Sequence, residues 1–184
     1  MLREEILKRL KNIDEEIFYS FGTKYEFRFV IVGGSALILN FESSRGTPDI
    51  DVLDLNSKVI DIAEKYDMNC RVNAYIFNFP YNYEDRLVYI NDKDFKVCKF
   101  ATPSLEDLIV SKLAASRPKD VEDLNSPQIL KQIDWNKLIK IVEKDKEFEM
   151  SNNSDRARSD FIYAYNKYKK EHFSKWTKWL SKTI

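Results

Sequence analysis

The order of elements in the sequence predicts an α+β fold, a sheet flanked by helices with a helical C-terminal half. Three observations carry that expectation. Apolar residues recur at three- and four-residue steps in the opening segment. Apolar runs of strand character, bounded by turn residues, fill the middle of the chain. Beyond Thr102-Pro103 the periodic segments are helical.

Leu2, Ile6, Leu10, Ile13 and Ile17 form the apolar face of an amphipathic first helix. "FRFVIV" reads as a buried strand ending at Gly33, and "SALILNF" as a helix. "ESSRGT" is a polar loop into the strand "PDIDVLDL", where Pro48 takes the first position and its missing N–H does least harm. "SKVIDIAEKY" returns to helical spacing, "CRVNAYIFNF" reads as a strand, and a turn follows near Pro80. "RLVYI" and "FKVCKFA" flank Asn91-Asp92-Lys93-Asp94 as a hairpin. Thr102-Pro103 is expected to open a helix, a capping hydroxyl followed by proline in the first turn. Further helices are expected at about 104–116, after Pro118, at about 134–145, and from Ser154 onward, with "KDKEFEMSNNSD" as a loop.

The 184 residues suit one domain with a real core. Thirty Lys and Arg offset thirty Asp and Glu, so any nucleic-acid binding must come from a local patch. No apolar run approaches the ~20 residues that span a bilayer, and "MLREEILKRL" is too charged for a secretion signal. Cys70 and Cys98 fit no metal-ligand spacing and read as reduced, half-buried strand residues. A cytoplasmic protein with no membrane partner is expected.

The chemistry concentrates in "VGGSALILNFESSRGTPDIDVLDL". Side chains two apart on a strand share a face, with Cα atoms ~6.5–7 Å apart, so Asp49 and Asp51 repel unless a cation sits between them. An oxygen-only pair suits Mg²⁺, with substrate phosphates completing the octahedron. The plain alternative is a strand-capping Asp49 and a solvent-facing Asp51, with Asp54 one more surface charge. Gly33-Gly34 lets backbone approach a ligand, the following helix aims its N–H groups at an anion, and Ser35 adds a hydroxyl. The combination of phosphate turn and carboxylate pair is rarer than either alone. Lys112 shares a helical stripe with Leu105, Leu108, Ile109 and Leu113, a place that demands snorkelling or a partner.

"VGGSA" followed by "RGTPDIDV" resembles the G-[GS] turn and D-x-D strand of the nucleotidyltransferase superfamily with the polymerase-beta-like fold. Within it, the sequence is most similar to AbiEii-like abortive-infection toxins and small nucleotidyltransferase-like bacterial proteins. Arg45, Thr47, Asp49 and Asp51 match their R-x-[ST]-x-D-[IL]-D pattern, and "SKLAASRPKDVEDL" looks like their later lysine-and-aspartate helix. The resemblance implies a nucleotidyltransferase-type mixed sheet at about 25–125 and a helical extension at about 126–184. It implies Mg²⁺ on Asp49 and Asp51 and an NTP held by Gly33, Gly34, Ser35, Arg45, Thr47 and Lys112. Asp120 would be the active-site carboxylate of the later segment and the first choice for the base that activates the attacking hydroxyl, with Asp123 a weaker candidate. A hydroxyl of RNA (tRNA) or protein would be the acceptor, in a toxin–antitoxin or phage-defence setting with a cognate antitoxin. The superfamily's third carboxylate is missing, and Asn73 stands where the strand reading seeks it. That departure favours the rival expectation, a nucleotide- or partner-binding module without catalysis. In "YAYNKYKKEHFSKWTKWL", Tyr165, Tyr168, Trp176 and Trp179 either stack on bases beside lysines or pack the last helix onto the domain. His172 has no partner motif and is given no role.

Overall fold

Alternation along one strand sets the architecture. In β1 (Phe27–Val32), Phe27, Phe29 and Ile31 join a core with Ile6, Leu10, Ile13 and Ile17 of α1 (Arg3–Phe21). Val30 and Val32 point the other way, into a second core with Leu108, Ile109, Trp135 and Phe161. Both faces of the sheet are therefore covered, which is why β1 is apolar apart from the exposed Arg28 near its start. The computed structural model describes residues 1–91, 93–146 and 154–183, and beyond Ser174 only Thr177 has a described side chain.

β2 (Ile50–Leu53), β3 (Met68–Asn69), β4 (Val88–Tyr89) and β5 (Cys98–Thr102) complete a sheet of order β3-β2-β1-β5-β4. β1 runs antiparallel to β2 and parallel to β5, β3 is parallel to β2, and β4 is antiparallel to β5. The sheet is mixed, as expected. Helices follow: α2 (Gly33–Asn40) directly after β1, α3 (Ile60–Lys65) after a 3₁₀ turn at Ser57–Val59, then α4 (Leu105–Ala115) and α5 (Pro118–Leu124). The short α6 (Pro127–Leu130), absent from the sequence reading, precedes α7 (Trp135–Ile139), a π turn at Lys140–Lys144, and α8 (Asp155–Thr183).

The structure corrects the sequence reading at three places. Residues 70–79 are not a strand: β3 stops at Asn69, and Asn73–Asn78 form a 3₁₀ helix. Val72 and Phe79 are buried and Ile76 packs beside them, a spacing of four and three that belongs to a helix. Asn73 is thus not a strand neighbour of the aspartates, and its Oδ1 accepts from the Asp54 N–H at 2.8 Å. Thr102 ends β5, and Ser104 caps α4 by accepting from the Asp107 N–H at 3.4 Å. Cys70 follows β3 outside any strand, while Cys98 is buried on β5. Burial pushes both thiols up, Cys70 to about 11.

The β4–β5 hairpin forms, with Asp92 of its connection outside the described residues, as are residues 147–153 of the expected loop. Tyr165 and Tyr168 are core: their hydroxyls donate to Glu143 Oε1 at 2.6 Å and the Leu124 carbonyl at 2.9 Å. The side chains of Trp176 and Trp179 lie outside the described set. Among the described residues no helix is long and apolar enough to cross a membrane.

Candidate active site

β1 passes into α2 through a turn made at Gly33, with φ +68°. The sheet register sets Val32 opposite Asp51, so the turn lies against that carboxylate. A Cβ at position 33 would stand 2.7 Å from Asp51 Oδ2, so any other residue there would have to displace that carboxylate as well as adopt a positive φ. A Cβ on Gly34 would meet Thr47 Oγ1 at 3.4 Å, a fit without spare room. The first turn of α2, whose N–H groups lack intrahelical partners and carry the positive end of the dipole, therefore opens beside Asp51. Ser35 is fully buried and its hydroxyl donates back to the Val32 carbonyl at 2.9 Å, bracing the turn from inside. Thr47 Oγ1 donates to the Asp49 carbonyl at 3.2 Å.

Asp51 lies on β2, and Asp49 directly precedes that strand. Both line the same cleft. Burial first, and then the charge of Asp49, push the Asp51 carboxyl above the usual range. A hydrogen bond from Asn69 Nδ2 to Asp51 Oδ1 at 2.9 Å and the charges of Lys119 and Arg117 oppose the rise. Two carboxylates under mutual repulsion, with no soft donor beside them, fit a hard oxygen-seeking cation such as Mg²⁺. Among the described residues no third histidine, cysteine, aspartate or glutamate joins them in ligand geometry. The sheet neighbour of Asp51 is Asn69, so an amide does stand beside the pair, four residues earlier than expected.

The later segment wraps the other side of the cleft. Lys112, only 5% exposed, donates to Asp120 Oδ1 at 2.8 Å and Asp123 Oδ2 at 2.7 Å. Arg117 Nε donates to Asp120 Oδ2 at 2.6 Å, and its guanidinium lies 5.7 Å from the centroid of the Tyr75 ring. Arg45 bonds Asp123 Oδ1 and Glu122 Oε2, both at 3.1 Å, and the Lys119 carbonyl at 3.2 Å. Burial works to raise the Asp120 carboxyl, but its bonds from Arg117 and Lys112 outweigh that and hold it below the usual range. Lys119 reaches no carboxylate at ion-pair distance among the described residues, and its charge bears on Asp51.

Two lobes meet over the aspartates. The smaller, about 60 Å³, is lined by Gly33, Gly34, Arg45, Thr47 and Lys119 among others. The larger, about 210 Å³, adds Asn69, Val72, Tyr75, Asn78 and Leu108. Gly33, Pro48, Asp49, Asp51, Lys112, Arg117 and Lys119 line both. The sequence reading missed Asn69, Lys119 and Tyr75. Asn69 sits on a strand too short to show alternation, and Lys119 was masked by the neighbouring Asp120.

A family model described as nucleotidyltransferase of unknown function (DUF6036) matches residues 8–172. No curated protein and no solved structure matches the chain.

Proposed function

The chain belongs to that nucleotidyltransferase family, and from this premise we propose that it moves a nucleoside monophosphate from a Mg²⁺-bound NTP to a hydroxyl of RNA, such as tRNA, or of a protein. The observation that carries the proposal is the approach of Gly33 to Asp51, where a Cβ would stand 2.7 Å from the carboxylate oxygen. One residue joins the α2 turn to the carboxylate pair, so a turn that received phosphate and a pair that held Mg²⁺ would act on the same ligand.

Asp49 and Asp51 would hold Mg²⁺, which neutralises phosphate charge and orients an in-line displacement. The α2 turn at Gly33 and Gly34 receives phosphate oxygens. Lys119 carries the charge of the departing pyrophosphate, with Arg45 and Thr47 at the same end of the cleft. Lys112, Asp120 and Asp123 form a buried ionic floor beneath them. A carboxyl held below its usual range is a weak proton acceptor, so Asp120 is better suited to positioning Lys112 and Arg117 than to deprotonating the acceptor. The motif resemblance extends the proposal to a defence setting in which a cognate antitoxin binds the enzyme.

Incubating the protein with each of the four labelled NTPs and Mg²⁺ in cell extract tests this. A labelled RNA or protein band is expected, and Asp49→Ala should abolish it. The second reading, a nucleotide-binding module without catalysis, is favoured by Asn69 in place of an acid beside Asp51. No labelled band from any NTP, despite Mg²⁺-dependent NTP binding in a calorimeter, would establish that reading over the enzyme.

A further inference from the structure

We propose that the larger lobe of the cleft is a nucleobase subsite, in which Tyr75 and Arg117 present a stacking surface and Asn78 and Ser111 address the edge of the base. This rests on reading the smaller lobe as the triphosphate end.

The two lobes differ in chemistry. The smaller is lined by glycines, by the hydroxyls of Ser43 and Thr47, and by charged side chains of both signs, the carboxylates being Asp123 and the proposed metal pair, with Pro48 its only apolar side chain. The larger shares the aspartates but adds Val72, Tyr75, Phe79, Leu108 and Ala115. A ligand filling both is anionic at one end and flat and apolar at the other, which describes a nucleoside triphosphate.

Tyr75 has the right placement for the flat end. Val72 and Phe79, buried on either side of the 3₁₀ helix, anchor the segment. The same helical spacing turns Tyr75 out to line the lobe with 48% of its surface exposed. Its ring packs against Arg117, whose guanidinium is fixed by the buried carboxylate of Asp120. The guanidinium stands within cation–π range of the ring, and both groups stack on nucleobases without regard to sequence.

Asn78 and Ser111 are half-buried, line the same lobe, and make no side-chain hydrogen bond among the described residues. An amide offers donors and an acceptor, and a hydroxyl offers either. They are the polar groups left over to meet a base edge once Asn69 is bound to Asp51.

The test is calorimetry on the full chain with Mg²⁺, comparing NTPs with inorganic tripolyphosphate. Wild type should bind at least one NTP more tightly than tripolyphosphate. Tyr75→Ala and Tyr75→Leu should weaken that NTP roughly tenfold or more while tripolyphosphate binding stays within about twofold, and Tyr75→Phe should retain it. Asn78→Ala should narrow the spread of affinities among the four NTPs. Tripolyphosphate binding as tightly as every NTP, or Tyr75→Ala weakening neither or both equally, overturns the base subsite and leaves the phosphate reading standing. Failure of tripolyphosphate and all NTPs to bind overturns both.

Discussion

Replacing Gly33 with alanine isolates the contact on which the site reading depends. Two costs arise. The backbone is held at φ +68°, a region that disfavours an L side chain by about 1–2 kcal/mol. The new Cβ also stands 2.7 Å from Asp51 Oδ2, whereas ordinary contact begins near 3.4 Å, so the carboxylate must withdraw by about 0.7 Å. Misplacement on the order of 1 Å in a reacting constellation costs up to ~10²-fold. Gly22→Ala supplies the control, because Gly22 also has positive φ, +62°, but nothing lies within 4 Å of its absent Cβ. Both variants should lose stability in urea titrations by roughly 1–3 kcal/mol. Only Gly33→Ala should weaken Mg²⁺-dependent NTP binding in calorimetry, and it should slow nucleotide transfer by up to ~10²-fold. A Gly33→Ala protein that binds Mg²⁺-NTP as wild type does would refute the coupling of turn and carboxylate. Equal loss in Gly22→Ala would show the effect to be global destabilisation.

Lys112→Met should destabilise by about 3–5 kcal/mol in denaturant titration, because it removes one partner from a buried network and leaves Asp120 and Asp123 under-compensated; unchanged stability would mean the pairing is weak in solution. Asp51 has a raised native pKa, so it favours the folded state most below the ordinary carboxylate range and loses that contribution as pH climbs through the raised value. Asp51→Asn should therefore raise the melting temperature at pH 7, with the gain shrinking toward pH 3, while abolishing metal-linked NTP binding; a lower melting temperature at pH 7 would contradict the strain. Asn69→Asp places a third carboxylate beside Asp51, so it should tighten Mn²⁺ or Mg²⁺ binding and lower metal-free stability, and a melting temperature unchanged without metal would show that residue 69 does not sense the pair.

Much of this was legible in the sequence, and the failures share a cause. The first helix and β1 lie where Ile6, Leu10, Ile13, Ile17 and "FRFVIV" put them, because each buries a regular stripe; Leu2, expected on the same stripe, stays exposed because it precedes the helix as its N-cap. Gly33, Asp49 and Asp51 stand out because glycine pairs and alternating acids are chemically loud. Residues 70–79 misled because "CRVNAYIFNF" is rich in strand formers, while the burial of Val72, Ile76 and Phe79 follows a helical step. Lys112 was legible as an anomaly, but its partners were not: Asp120 and Asp123 reach it only after Ser116, at φ 50°, ends α4 and lets α5 fold back. Lys119 became visible only once that network had claimed its neighbours.

The network also fixes how the cleft handles charge. Arg45, Lys112, Arg117 and Lys119 are four cations, and Asp49, Asp51, Asp120 and Asp123 are four carboxylates. Lys112 and Arg117 are spent largely on Asp120, and Arg45 on Asp123, with the exposed Glu122 added to its burden. A bare triphosphate entering the cleft thus meets Lys119 but also Asp49 and Asp51, which have no ion-pair partner among the described residues, and Coulomb repulsion from the pair opposes it at short range. A bare divalent cation meets the pair with too few protein oxygens to fill its shell. Each ligand supplies what the other lacks: the metal removes the repulsion, and the phosphates complete the coordination. Metal and nucleotide are therefore expected to bind as one unit, with neither occupying the site well alone.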